Sequence, residues 1–239
     1  MDKPILIVKN ITHENPGLIT DILDKNNLRF EIVDLSQKEF LPEIENYALL
    51  IIMGGPDSAN DNSNKILKEL TLIKTALSKE IPIFGICLGL QLLVKMCGGQ
   101  VYKNPLQEIG FKHNNEEWYK IKLTQEGLKD PLFKGINDDF IVFQLHGETV
   151  KLNKDLVLLG TSDYCTNQVV KYGQNNYGIQ FHFELTEELF ANLLEKAPEL
   201  KGHNLDPLVE HFNEIKKDYI ERGTLIFTNY LRELKFIPI

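Results

Sequence analysis

The chain is poor in cysteine, with three in 239 residues, at Cys87, Cys97 and Cys165. An odd, scattered set of that size excludes a disulfide framework and has no zinc-site spacing, so no metal and no cofactor are expected. Basic clusters are missing too. Lys and Arg number 26 against 34 Asp and Glu, the formal net charge is -8, and Lys216-Lys217 is flanked by Glu214 and Asp218. A phosphate-binding face needs gathered cations, so nucleic acid is not an expected partner. No apolar run approaches the length of a membrane span, and Ile5 to Val8, directly after Met1-Asp2-Lys3-Pro4, is too short for a signal segment. The expectation is a cytoplasmic protein without a membrane partner. Internal repeats, low-complexity tracts, Pro/Ser-rich linkers and the P-loop pattern are likewise absent.

What is present is enough apolar residue, 43%, to build a full core. Its patterning alternates. Residues 4–8, 30–34 and 47–53 read as buried strands, the last running into Gly54-Gly55-Pro56. Residues 16–26 and 63–79 carry apolar positions at helical spacing. Strands alternating with helices predict βαβ units and a parallel sheet. From residue 100 the texture changes to short strand-like segments at 100–103, 118–123, 140–144, 156–160, 168–172 and 177–181, which predicts an antiparallel insertion and a return to the main sheet. A helix follows over 186–196. Beyond about 205, Leu208, Phe212, Ile215 and Tyr219 form an apolar stripe that Gly223 is expected to break, with a second helical piece from Leu225 to Leu234.

The stretch from Ile81 to Gln91 organises the rest. A buried strand turns at Gly85-Ile86-Cys87-Leu88-Gly89 into a helical pattern. This G-x-C-x-G arrangement suits a strand-to-helix elbow that presents a nucleophile. The thiol of Cys87 would stand at the carboxyl end of a strand and at a helix N-terminus, with the Leu88 N–H aimed where an oxyanion forms. A small buried thiol on a packing turn is the bland alternative for this stretch taken alone.

Acyl transfer at a thiol needs a base, and the base needs an orienting acceptor. Of six histidines, His182 stands out, at the end of strand 177–181 with Glu184 two residues on. A lone histidine there is more often structural; paired with the elbow at the same sheet edge it becomes the expected base. Gly54-Gly55, at the end of the third strand, would supply a second oxyanion N–H.

These residues resemble the three signatures of class I glutamine amidotransferases: Gly54-Gly55-Pro56, Gly85 to Gln91, and Gln180-Phe-His-Phe-Glu184. Glu108-Ile-Gly-Phe111 and Phe143-Gln-Leu-His-Gly-Glu148 are similar to segments of the subgroup containing the glutaminase domain of GMP synthetase. The resemblance spans roughly residues 1–195. It implies an α/β fold with a doubly wound, mostly parallel, flavodoxin-like sheet and an antiparallel insertion over residues 1–200; the apolar stripe of the tail adds the expectation of a helical C-terminal extension, 201–239, packed on that domain. The resemblance implies Cys87 as nucleophile, His182 as general base and acid, Glu184 as orienter, and Gly55 and Leu88 as oxyanion donors. Gln91 and Gly54 would contact substrate, with His146 in support. The implied activity is that of a stand-alone glutamine amidotransferase or glutaminase, hydrolysing the γ-amide of glutamine through a Cys87 γ-glutamyl thioester. The expected partner is glutamine or another γ-glutamyl compound; the tail is too small for a synthetase domain, so either a separate ammonia-accepting synthetase chain takes the ammonia or none is taken. A γ-glutamyl peptidase using the same triad is the alternative. A non-catalytic regulatory or interaction protein on the same scaffold is a more distant one. Three residues depart from the pattern. Phe183 replaces the usual proline, which frees a donor and is expected to loosen the turn. Phe111 and Glu148 replace Trp and Asp.

Overall fold

A computed structural model describes residues 3–37, 40–114 and 116–238. In chain order the elements are β1 (Ile5–Lys9), α1 (Leu18–Lys25), β2 (Phe30–Asp34), β3 (Leu49–Ile52), α2 (Asn64–Ser78), β4 (Ile83–Ile86) and α3 (Leu88–Met96). They continue with β5 (Gln100–Gly110), β6 (Lys120–Leu123), β7 (Asp139–Ile141), β8 (Gln144–Lys151), β9 (Leu156–Thr161), β10 (Val169–Tyr172), β11 (Asn176–Ile179), α4 (Glu187–Lys196) and α5 (Asp206–Glu233). Among the described residues nine strands form one sheet in the order β2-β1-β3-β4-β11-β10-β9-β6-β7. The first five are mutually parallel and the rest antiparallel. Strands β5 and β8 pair apart from it as a two-stranded ribbon. This is the doubly wound, mostly parallel α/β sheet with antiparallel strands and a helical C-terminal region.

The apolar runs of the parallel strands are explained by cover on both faces. Ile5 and Ile7 point into a core with α1 and the second half of α5, where Ile19, Ile226 and Phe227 lie. Their neighbours Leu6 and Val8 point the other way, into a core with Ile66 and Ile73 of α2 and Leu90 and Leu93 of α3. The period-two alternation of a strand thus divides each run between two layers. A third apolar cluster joins α4 to the first half of α5 through Phe190, Phe212 and Tyr219, against Phe111 and Phe143.

Three expectations are corrected. The segment 140–144 is not one strand. Its first part pairs with β6 and its last begins β8, and between them Phe143 makes an isolated bridge to His182. The chain changes hydrogen-bonding partner there, which an apolar run does not announce. Strand β5 extends far beyond residue 103, because its ladder with β8 slips between Lys103 and Glu108 and then resumes. Finally, Gly223 does not break the tail. Helix α5 runs through it, and a Cβ built at Gly223 would lie 2.2 Å from the Phe183 carbonyl oxygen. The glycine is there to let the helix cross the backbone beside His182.

Candidate active site

Strands β3, β4 and β11 are adjacent and parallel, so their carboxyl ends share one edge. Gly54 follows β3, Cys87 follows β4, and Gln180 to Glu184 follow β11. The Cys87 N–H donates to the Ile179 carbonyl at 2.7 Å, tying the elbow to the strand that delivers His182. Cys87 itself has φ 52° and ψ -104°, a conformation that non-glycine residues adopt only when their surroundings impose it. The flanking glycines let the surrounding backbone close on it. A Cβ on Gly85 would sit 2.4 Å from the Gly89 carbonyl, and one on Gly89 2.2 Å from the Ile52 oxygen.

His182 Nδ1 lies 2.7 Å from Glu184 Oε1, and both side chains are buried. The Cys87 sulfur lies 3.6 Å from Gln180 Nε2 and 3.9 Å from the Leu145 carbonyl, with His182 close by. Burial pulls the imidazole pKa down most strongly, yet the Glu184 carboxylate, the nearby Cys87 and the bond to Glu184 together hold it well above the ordinary histidine value. Glu184 is fixed at its other oxygen as well, because the Phe183 N–H donates to Oε2 at 2.8 Å. The donor that a proline would lack is therefore used. The turn is not loosened: Phe183 is buried, and its ring meets Phe84 edge-on at 5.8 Å. Gly54 passes between the two reactive groups, as a Cβ there would lie 3.0 Å from His182 Cε1 and 3.4 Å from Cys87 Cβ.

Leu88 begins α3, so its N–H belongs to the first turn, which has no partner within the helix. Gly55 stands beside it: a Cβ on Gly55 would approach Leu88 Cδ2 to 3.1 Å. The pair expected to bind an oxyanion is thus brought together. Gln91 is buried, with Nε2 3.1 Å from the Glu148 carbonyl and 3.4 Å from Gln180 Oε1. His146 is brought near the site, but both of its ring nitrogens face protein groups. Nδ1 is 3.0 Å from the Glu148 carbonyl and Nε2 is 2.9 Å from Glu108 Oε2. Glu108, His146 and Cys165 bring their donor atoms within 4.8 Å of one another, all buried. The 2.9 Å separation of His146 Nε2 and Glu108 Oε2 is shorter than two ligands on a tetrahedral zinc would adopt. Burial pushes the Cys165 thiol up to about 11, and its sulfur is 3.0 Å from Thr149 Oγ1.

Several contributors carry no sequence motif of their own. Tyr219 of α5 donates its hydroxyl to the His182 carbonyl at 2.6 Å. A tyrosine inside an apolar helical stripe is the available hint, because a buried hydroxyl seeks an acceptor. Asn10, after β1, donates to Glu69 Oε1 of α2 at 3.0 Å and lies under Gly55, whose added Cβ would come 2.6 Å from Asn10 Cβ. Burial raises the Glu69 carboxyl to about 7. Glu14, close to His182 and Glu184, is likewise raised to about 7, burial being the main cause.

A cysteine on a strand-to-helix elbow, a histidine–glutamate pair and a glycine pair thus share one edge of the sheet, as the resemblance to class I glutamine amidotransferases implies. The family model for class-I glutamine amidotransferases matches residues 10–197, and the chain belongs to that family. A putative glutamine amidotransferase-like protein from Salmonella typhimurium is 30% identical over 161 residues, which are 65% of this chain and 64% of that protein. A subunit of a glutamine-hydrolysing GMP synthase from Methanococcus maripaludis is 32% identical over 65% of this chain and 72% of its own. Among solved structures, a glutamine amidotransferase from Thermotoga maritima superposes with a TM-score of 0.85 at 29% identity, covering 98% of this chain and 99% of that one. One from Methylobacillus flagellatus gives 0.85 at 25% identity, over 98% and 96%. No helix among the described residues is long and apolar enough to cross a membrane.

Proposed function

We propose that the protein hydrolyses the γ-amide of glutamine through a γ-glutamyl thioester on Cys87. The Cys87 sulfur attacks the side-chain carbonyl carbon, and its proton passes through His182 to the departing nitrogen, which leaves as ammonia. Water then attacks the thioester with His182 as base, the carbon–sulfur bond breaks, and glutamate is released. Glu184 holds the imidazole in register and supports its positive charge. The N–H groups of Gly55 and Leu88 receive the oxyanion of each tetrahedral intermediate. Gly54 and Gln91 border the bound glutamine, and His146 supports them from beneath. The ammonia goes to a separate synthetase chain, by analogy with relatives named as subunits of a synthase. The site of action is the cytoplasm.

The observation that carries this reading is the 2.7 Å Nδ1–Oε1 contact of His182 and Glu184, on the same sheet edge as Cys87 and across Gly54 from it. The purified protein incubated with glutamine is expected to release ammonia and glutamate in equal amounts. In Cys87→Ser that release falls to background, and hydroxylamine traps a γ-glutamyl group only on the unsubstituted protein. Cleavage of γ-glutamyl dipeptides with none of glutamine would replace this reading with a γ-glutamyl peptidase on the same triad. No turnover of either, and nothing trapped, would leave a non-catalytic role.

A further inference from the structure

A row of buried amides connects the nucleophile to the β5–β8 ribbon. Ile86 and Ile179 are register partners, so Gln180 stands opposite Cys87. Gln180 is fully buried, with Nε2 3.6 Å from Cys87 Sγ and Oε1 3.4 Å from Gln91 Nε2. Which end of each amide is nitrogen follows from the far end of the row. The Glu148 carbonyl only accepts, so Gln91 must present an N–H to it, at 3.1 Å. The second N–H of that nitrogen then meets Gln180 Oε1, which leaves the Gln180 nitrogen facing the sulfur. The Glu148 carbonyl is itself held by His146 Nδ1 at 3.0 Å, and His146 Nε2 lies 2.9 Å from Glu108 Oε2 as a close charge contact without hydrogen-bond geometry. Both of these side chains are closed off from solvent. A reversed amide row would place the Gln180 oxygen lone pairs against the sulfur.

We propose that Gln180 is a catalytic residue whose amide N–H supports the negative sulfur of Cys87, and that the buried Glu108–His146 pair is a positioning device that holds in place the Glu148 carbonyl from which the amide row takes its direction. The proposal rests on the thioester reading above. The sulfur carries negative charge when it attacks the amide carbon, and again when the carbon–sulfur bond breaks in hydrolysis. Gln180 donates a hydrogen bond at both moments and neither gains nor loses a proton. The thiol proton travels through His182 as before.

The test is the second-order rate of alkylation of Cys87 by iodoacetamide at a fixed neutral pH, read at that residue by mass spectrometry. It needs no glutamine turnover, so its failure is distinct from failure of the proposed function. Gln180→Met matches the length of the side chain and removes the donor; the rate is expected to fall about tenfold, the scale of a hydrogen bond to a charged group. Gln180→Glu places an acceptor against the sulfur and slows it further. Glu108→Gln, remote from the sulfur, is expected to slow it by a smaller factor. With glutamine as substrate, the same variants should lower kcat and leave KM nearly unchanged. Rates within twofold of the parent in folded Gln180→Met and Gln180→Glu would overturn the catalytic role. A raised KM with unaltered alkylation would overturn it as well, making Gln180 a substrate contact. Should Gln180→Met not fold, unaltered alkylation in folded Glu108→Gln still overturns the positioning role.

Discussion

Glu69 is buried in α2, with Oε1 accepting from Asn10 while its own Oε2 and the Asn10 Oδ1 have no hydrogen-bond partner. A protonated carboxyl, or an amide, brings a donor to this buried group of acceptors; a carboxylate brings none. Burial raises this group from 4.5 to about 7. The sign of the linkage follows. The unfolded chain releases the proton near 4.5, whereas the folded protein keeps it to about 7. Stability from this group is therefore complete below about pH 4.5 and is lost as pH rises through about 7. The loss amounts to about 3 kcal/mol at pH 8. Glu69→Gln supplies the missing donor at every pH. It is expected to raise the urea midpoint at pH 8, by the equivalent of about 2–3 kcal/mol, and to change little at pH 5. Equal effects at both pH values would show that Glu69 does not titrate in this range. The sequence shows Glu69 only as one charge on a helix, because its burial depends on Asn10 arriving from a different strand. Cys87, His182 and Glu184 were legible for the opposite reason. Each lies within or next to a short local pattern of strand end, glycine or helix start that fixes where its side chain must stand.

At the scale of elements, the parallel strands and their helices were readable because a fully covered strand has to be apolar and a helix shows its period. The ribbon was not. The slip between Lys103 and Glu108 and the change of partner at Phe143 are set by pairing at a distance. The same limit governs α5, where Gly223 carries the local signature of a helix break but serves a crossing. That crossing makes a directional prediction. In an exposed helix Gly→Ala is favourable by about 1 kcal/mol. Here the added Cβ would press on the Phe183 carbonyl at 2.2 Å, so Gly223→Ala is expected to destabilise by about 1–3 kcal/mol. It should also lower kcat for the proposed glutamine hydrolysis, since the displaced peptide neighbours His182. Tyr219→Phe leaves the same backbone without its 2.6 Å hydroxyl donor. Its cost in urea titration should be about 1–3 kcal/mol, with kcat again reduced and the helix content unchanged by circular dichroism. A gain of stability in Gly223→Ala would mean that α5 does not press on this turn.

The whole molecule raises the question whether α5 is an appendage or part of the core. Its first half closes a cluster over Phe111, Phe143 and Phe190, and its second half lays Phe227 and Tyr230 on Phe84 of β4. Phe84 is three residues from Cys87 and also packs on Phe183, so the helix lies directly behind the strand that leads into Cys87. We therefore propose that residues 201–239 are required for the first 200 to fold, even though the motifs of the site all precede them. Removing a buried Phe costs about 3–5 kcal/mol, and a domain's whole margin is about 5–15 kcal/mol. Loss of Phe212, Phe227 and Tyr230 together exceeds most of that range before the exposed apolar faces beneath them are counted. Truncation after residue 200 is expected to yield aggregated protein, or soluble protein without a cooperative thermal transition and without glutamine hydrolysis. The full chain with Phe227→Leu, which keeps an apolar side chain against Phe84, should fold with a lowered transition and measurable activity. A soluble, cooperatively unfolding and fully active 1–200 fragment would make α5 an appendage, and its apolar face would then need another explanation.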